Sequence, residues 1–169
     1  MGKPTRNSAR ETRPVKSKKE RQEFGPGKEG LVICPKCSAA YYKKSWHQSD
    51  VNFNGKETSR VKFVLCPADQ MMKNGQFEGR VLVKNLPKDA KEEVINLIKN
   101  VAAQAYEKDP MHRLIKVGDK SDGLVALFTE NELAVSVGKK IAKARGGKAK
   151  VGIKYSEEPS DVAYVVVEF

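Results

Sequence analysis

Residues 77–106, FEGRVLVKNLPKDAKEEVINLIKNVAAQAY, decide the fold expected for this chain. At their start, Val81 and Val83 alternate with charged residues, a pattern typical of a half-buried β-strand. Pro87 then favours the start of a helix, because proline suits the first helical turn. Acidic residues follow in that turn, where the helix dipole favours negative charge. The stretch therefore predicts a strand followed by an amphipathic helix.

The sequence beyond this helix continues the alternation of strands and helices. Two short apolar runs, separated by a polar turn cluster, predict a pair of strands. Thr129 to Glu132 matches a capping box, in which the threonine caps a second helix and the glutamate bonds back to it. That helix is expected to stop at Gly146-Gly147. An alternating run over 149–155 predicts a half-buried strand, and the apolar run 162–169 predicts a last one.

The predicted order β-α-β-β-α-β-β indicates an α+β domain over residues 76–169. Two helices must cover one face of a mainly antiparallel sheet, in a ferredoxin-like arrangement. Each helix places its apolar residues at helical spacing. The expected core positions are Val94, Ile98 and Val101 on the first helix and Leu133, Val137 and Ile141 on the second.

The three cysteines lie upstream, within residues 31–75, and they predict a small zinc-ribbon-like module. Cys34 and Cys37 form a C-x-x-C after a short apolar run, and Cys66 and Asp69 repeat the arrangement of apolar run, Cys-Pro, one residue, then a potential ligand. Two such turns, facing each other, supply the four ligands of a zinc ribbon. A redox C-x-x-C is disfavoured because no thioredoxin-like β-α-β pattern surrounds Cys34.

The fourth ligand stays open at this point. Asp69 is favoured by its spacing, and a carboxylate oxygen is an acceptable zinc ligand. His47 competes, since neutral imidazole suits zinc well. Water in the fourth position, or no metal at all, is the remaining alternative. The nearby Tyr41, Tyr42 and Trp46 are expected either to pack against the module or to stack nucleic-acid bases.

The charge of the chain is strongly basic and unevenly distributed. The 169 residues carry a net charge of +11, and residues 1–30 hold nine basic side chains against four glutamates, a net +5. These thirty residues have almost nothing to bury, so we expect a disordered basic arm that contacts phosphates. A second basic surface is predicted on the second helix and the strand after it. The predicted nucleic-acid-binding residues are Arg6, Arg10, Arg13, Lys16, Lys18, Lys19, Arg21, Lys139, Lys140, Lys143, Arg145, Lys148 and Lys150.

The compartment is expected to be the cytoplasm. No window of about 18 consecutive apolar residues is present, so no transmembrane helix is expected. The basic N-terminus lacks the apolar region of a secretory signal. Three cysteines are too few, and odd in number, for a disulfide scaffold.

The cysteine motifs and their downstream partners together resemble a small bacterial family of uncharacterised zinc-ribbon proteins. That family pairs C-P-x-C with C-P-A-C, and here Asp69 stands at the position of its fourth cysteine. The resemblance spans residues 31–169 and extends more weakly to the N-terminal region of the large-ribosomal-subunit nuclear export adapter. It implies a role at the ribosome. Besides the cysteine motifs, the residues that carry it are 41–46, 92–100, 109–115 and 129–134.

The leading functional hypothesis is a non-enzymatic protein that binds RNA or a ribosomal subunit, with zinc as a structural cofactor. The alternative is an adapter whose zinc module binds a protein partner without contacting RNA. An enzyme is disfavoured, because a metal-dependent hydrolase needs an open metal position and a nearby base. His47 and Glu57 are weak candidates for such a site. We expect neither a membrane partner nor a small-molecule substrate.

Overall fold

The protein is an α+β chain with two β-sheets and three α-helices in the part described by the computed structural model. The predicted arm of residues 1–30 and its seven candidate nucleic-acid-binding residues lie outside the described residues, as does Arg145. The described residues are 31–42, 44–49, 61–144, 146, 148–157 and 161–169. No helix among them is long and apolar enough to cross a membrane.

The smaller sheet is built from four strands of three residues each. They are β1 (Leu31–Ile33), β2 (Ala40–Tyr42), β3 (Ser45–His47) and β4 (Val61–Phe63), in the order β3-β2-β1-β4. The pairs β1–β2 and β2–β3 are antiparallel, whereas β1 and β4 run parallel. A short helix, α1 (Pro67–Lys73), follows β4.

The larger sheet contains five longer strands. They are β5 (Gly79–Lys84), β6 (Leu114–Lys120), β7 (Gly123–Phe128), β8 (Lys150–Tyr155) and β9 (Ala163–Glu168), in the order β6-β7-β5-β9-β8. Three of the four strand pairs are antiparallel, and β5–β9 is parallel. The sheet is therefore mainly antiparallel, and its last strand in sequence lies inside it rather than at an edge.

Two longer helices belong to this sheet. A 3-10 turn over Lys88–Ala90 leads into α2 (Lys91–Lys108), which connects β5 to β6. Helix α3 (Asn131–Ala144) connects β7 to β8. The chain thus follows the predicted order β-α-β-β-α-β-β from residue 79 onward.

The main hydrophobic core lies between the two longer helices and one face of the larger sheet. The predicted helix positions are buried, which confirms the two apolar helix faces. At Gly138, an added Cβ would stand 2.4 Å from Val165 Cγ1, so α3 lies very close to β9. The largest fully buried apolar side chains in this core are Phe128, Ile98, Ile141, Val81, Val83, Val94, Val137, Val165 and Val167.

The prediction that Thr129 caps α3 is wrong, because the capping residue is Glu130, one position later. The Thr129 hydroxyl donates to Met111 O at 2.6 Å and accepts from Arg113 N at 2.9 Å. Glu130 Oε2 instead accepts a hydrogen bond from Leu133 N at 3.0 Å, at the start of α3. The Thr129 hydroxyl is hydrogen-bonded to Met111 and Arg113, which are distant in sequence, and Glu130 caps the helix in its place.

The strand β8 is less buried than its alternating pattern predicts. Val151 and Tyr155 are 36% and 58% exposed, and Ile153 is the half-buried apolar residue between them. The reason is topological, because β8 lies at the edge of the sheet. The alternation identified the strand correctly but not how far the helices cover it.

Candidate metal centre

The first half of the cysteine site is a tight turn between β1 and β2. Cys34 follows β1 directly, and its backbone N–H donates to Ala39 O at 2.8 Å. Ser38 N donates to Cys34 O at 2.9 Å, and Ser38 has a left-handed backbone with φ of 63°. This turn reverses the chain and brings the Cys37 thiol to the same side as the Cys34 thiol.

The second half is the first turn of a helix, where the sequence predicted a second strand-turn. Cys66 is the N-cap of α1, and its sulfur accepts a hydrogen bond from Asp69 N at 3.4 Å. Pro67 occupies the first helical turn, where its missing N–H costs nothing. The negative Asp69 side chain in the same turn is favoured by the helix dipole.

The parallel pairing of β1 and β4 brings the two halves together. Ile33 is paired with Phe63, and Val64 N donates to Ile33 O at 3.1 Å. Because parallel strands run in the same direction, the segments that follow β1 and β4 leave the small sheet at the same end. Cys34 and Cys66 therefore emerge side by side.

Four potential ligand atoms converge at this end of the sheet. One atom each from Cys34, Cys37, Cys66 and Asp69 lies within 4.8 Å of the others. The Cys34 and Cys66 sulfurs are each 3.2 Å from Asp69 Oδ2, and the Cys37 and Cys66 sulfurs are 3.7 Å apart. A zinc tetrahedron with Zn–S bonds of about 2.3 Å has S–S edges of about 3.8 Å. The donor set and its spacing thus fit a zinc ion.

The protonation of the cluster follows from burial and hydrogen bonding. Burial raises the pKa of the Cys66 thiol strongly and that of Cys37 as well. At Cys34 burial also opposes ionisation, but backbone N–H groups outweigh it and lower the pKa. Burial would raise the pKa of Asp69, but hydrogen bonds from the three thiols lower it overall. A carboxylate thus accepts from neutral thiols, and a metal that binds here must displace their protons.

Two cations face the second oxygen of Asp69. Lys36 Nζ lies 3.4 Å and Arg113 Nη1 lies 3.8 Å from Asp69 Oδ1. Three thiolates, one carboxylate and a divalent zinc would leave a net charge of −2 at the site. These two cations balance that charge. Asp69 can therefore use Oδ2 toward a metal and Oδ1 toward the cations.

Arg113 was not assigned to this site by sequence reasoning. It precedes β6, its Nε donates to Pro110 O at 2.9 Å, and its guanidinium lies 4.8 Å from the centre of the Tyr106 ring. Gln48 adds a second link, because its side-chain amide donates to Tyr106 O. No local pattern signals such contacts, since they join segments that are distant in sequence. The site thus touches the α2–β6 connection of the larger domain.

The competing ligand, His47, does not join the cluster. Its Nε2 lies 2.9 Å from Ser45 Oγ and 3.0 Å from Tyr42 O, within the β2–β3 hairpin. Its neighbour Trp46 packs against the cysteines, with Leu65 and Met111 beside it. Trp46 therefore packs against the cysteine module, which is one of the two roles expected for the aromatic residues of this segment.

The predicted basic surface is divided between two sides of the larger sheet. Lys139, Lys140 and Lys143 are exposed on α3, which packs against one face. Lys150 is paired with Glu168, and the alternation of β8 places it on the opposite face. Lys148 is exposed just before β8. The helix lysines and the strand lysine therefore lie on different sides of the larger sheet.

No protein-family model matches the chain, and no curated protein is significantly similar to it. The strongest feature among the described residues is the Cys34–Cys37–Cys66–Asp69 cluster, which can hold a metal ion.

Proposed function

We propose that the four clustered residues hold one structural zinc ion in a non-enzymatic protein that binds RNA or a ribosomal subunit. The observation that carries the metal proposal is the convergence of three sulfurs and one carboxylate oxygen from two separate segments. Soft thiolates select zinc over magnesium or calcium, and the carboxylate completes a tetrahedron. The finer description of the fold, a zinc-ribbon-like module on a ferredoxin-like domain, belongs to the same proposal.

A structural role is favoured over a catalytic one by the number of protein donors. Catalytic zinc sites keep one position open for water or substrate, whereas four protein ligands close the tetrahedron. His47 is held in its hairpin, and His112 Nε2 lies 3.8 Å from an oxygen of Asp109; neither belongs to the four clustered residues. Neither histidine is placed as a base beside the metal.

RNA is favoured as the partner by charge. The chain carries +11, and a polyanion is the natural partner of such an excess. Non-specific affinity for nucleic acid arises mainly from phosphate neutralisation and counterion release. The cytoplasm and the ribosome, expected from the sequence, are part of this proposal.

A protein-binding adapter is the second candidate, and one observation favours it. β4 is an edge strand of the small sheet, and its Phe63 and Val61 are 68% and 40% exposed. An apolar edge of this kind can pair with another chain. Salt separates the two candidates, because phosphate binding weakens steeply with ionic strength and an apolar contact does not.

The metal proposal is tested by the metal content of the purified, folded protein and three variants, measured by mass spectrometry. Asp69→Cys should retain zinc more tightly, because sulfur is the softer donor. Asp69→Ala should weaken zinc binding, and His47→Ala should leave it unchanged. A wild-type protein that is folded and metal-free would end the proposal, and loss of metal in His47→Ala alone would assign the fourth ligand to His47.

The RNA proposal is tested by co-sedimentation with ribosomal particles over a series of salt concentrations. The logarithm of the binding constant should fall linearly with the logarithm of the salt concentration, with a slope of about 0.7–0.9 per phosphate contact. Deletion of residues 1–30 should reduce both affinity and slope without unfolding the rest. Salt-independent binding would favour the adapter, and an unchanged slope after deletion would remove the arm from the contact.

A further inference from the structure

The face of the larger sheet opposite α2 and α3 has a regular composition. Core residues such as Val81, Val83 and Val165 point toward the helices, so the alternate residues of each strand lie on the other face. We call this the open face, because neither of the two longer helices packs on it. Strand pairing arranges it in rows across β6-β7-β5-β9-β8. The first row is Lys116, Leu127, Arg80, Tyr164 and Lys154, and the middle row is Gly118, Val125, Leu82, Val166 and Gly152. The third row consists of two paired groups, Lys120 with Gly123 on β6 and β7, and Lys84, Glu168 and Lys150 on β5, β9 and β8.

The charge of the open face lies in its two outer rows and in Asp122 of the β6–β7 turn, which contacts Arg80. Together they carry six cations and two carboxylates, those of Glu168 and Asp122, a net +4. Arg80 has a weak partner in Asp122, 3.5 Å away at the surface, while the lysines of β6 and β8 are exposed. Helices α2 and α3 together carry six basic and four acidic residues, a net +2. The open face is thus the more positive side of the domain.

The middle row is free of charge and open at both ends. Leu82 and Val125 are 8% and 5% exposed and form its floor, and Val166 is half-buried. At Gly118 and Gly152, no atom lies within 4 Å of the position that a Cβ would occupy. An incoming ligand can therefore approach the backbone of both edge strands closely.

An aromatic ring stands between two cations in the first row. Tyr164 is paired with Arg80 on β5 and with Lys154 on β8, and all three share the open face. A half-buried tyrosine ring offers a surface on which a base can stack, and the flanking cations can contact phosphates. The outer rows lie about 13 Å apart and each spans about 19 Å, which is room for a few nucleotides.

We propose that the open face binds single-stranded RNA, with Tyr164 stacking on a base and the outer-row cations contacting phosphates. This inference rests on the proposed RNA-binding function and assigns it a surface. Single strands are favoured over a duplex because the uncharged middle row and Tyr164 complement exposed base faces, which a duplex hides. The lysines of α3 have no such middle row beside them.

The test compares two triple variants with the same change in charge. The open-face variant is Lys116→Gln, Lys120→Gln and Lys154→Gln, and the helix variant is Lys139→Gln, Lys140→Gln and Lys143→Gln. Full-length proteins are titrated with a fluorescent oligouridylate and with a duplex of the same length, over a range of salt concentrations. The open-face variant should lose about 2 units of log–log salt slope, at about 0.7 per lost contact, and the helix variant should lose almost none.

A second pair of variants tests the aromatic contact. Tyr164→Leu should weaken oligouridylate binding by about tenfold, within the range measured for base–aromatic stacking. Tyr164→Phe keeps the ring and should bind like the wild type. Equal loss in both variants would attribute the effect to the hydroxyl and overturn the stacking contact.

The outcomes separate this inference from the function on which it rests. A wild type that binds neither oligonucleotide would overturn the proposed RNA function and the open-face assignment with it. Wild-type binding that survives in the open-face variant, or falls equally in both triple variants, would overturn the open-face assignment alone. Preference for the duplex would overturn the assignment to single strands.

Discussion

The cysteine module and the larger α+β domain differ in how many apolar side chains they bury. The module's strands have three residues each, and the cluster around its cysteines contains three buried residues, Cys34, Cys66 and Ala68. The domain gathers seventeen buried residues into one cluster between two helices and a five-stranded sheet. Hydrophobic burial can stabilise the domain by itself. The module has less to bury, and under the proposed function the bonds of its thiols to a metal supply the remaining stability.

The largest expected effect is removal of the metal. Binding of structural zinc by small peptides supplies about 10–16 kcal/mol of folding free energy. Chelation, or Cys66→Ser, should therefore unfold the small sheet and α1 and leave the core of the domain folded. Hydrogen exchange followed by mass spectrometry checks this segment by segment. If the module of demonstrably metal-free protein is as protected from hydrogen exchange as before, the module folds without metal.

The next largest effect is a loss of stability in the larger domain, expected from Ile98→Ala. Ile98 is fully buried on α2, and truncation of a large core residue costs about 2–5 kcal/mol of unfolding free energy. Val151→Ala, on the exposed edge strand, is the control and should cost far less. Denaturant unfolding measures both. A loss below about 0.5 kcal/mol at Ile98 would contradict the proposed dominance of the hydrophobic core in this domain.

A smaller loss is expected from Gly138→Ala. The new Cβ would meet Val165 Cγ1 at 2.4 Å, and overpacking costs about 1–3 kcal/mol. The better helix propensity of alanine returns up to about 1 kcal/mol, so we expect a net loss of about 1 kcal/mol. Gly152→Ala, with open space around it, should cost less. If both substitutions have equal effects in denaturant unfolding, α3 and β9 are less tightly packed than the structure shows.

The smallest effect concerns Glu78, which precedes β5. Burial, together with the nearby carboxylates of Glu130 and Asp161, raises the pKa of Glu78. The folded state therefore prefers the neutral acid, and stability is lost as the pH rises from about 4.3 through the raised pKa. Glu78→Gln should reduce this loss. Thermal unfolding at pH 4 and pH 7 measures this, with Glu157→Gln as the same substitution at an exposed position.

The sequence predicted the domain better than the module because long periodic segments leave a clear pattern. The buried positions of α2 and α3, such as Ile98 and Val137, follow from apolar spacing alone. Helix α1 has only seven residues, too few for a periodicity to show, so the sequence predicts a turn at Cys66-Pro67 where the structure has a helix. Its four-residue ligand motif was nevertheless identified, because two Cys-Pro segments with equal spacing are a local signal.

The features that the sequence did not predict depend on contacts between distant segments. Arg113 reaches Asp69 because the small sheet packs beside the α2–β6 connection, which no local pattern encodes. The capping residue of α3 was displaced by one position because Thr129 bonds to residues 111 and 113. The basic arm, the family resemblance and the RNA partner remain predictions.

The central position of β9 has a consequence for how the chain acquires its structure. β9 pairs with β5 across almost the whole length of the domain, so the sheet closes through contacts of high sequence separation, which slow folding. Until residues 163–168 have left the ribosome, β5 and β8 each lack a neighbour. Unpaired strand edges of this kind favour association with other chains. A newly made copy is therefore most vulnerable to aggregation before residues 163–168 emerge, and a truncation at residue 162 would make that vulnerability permanent.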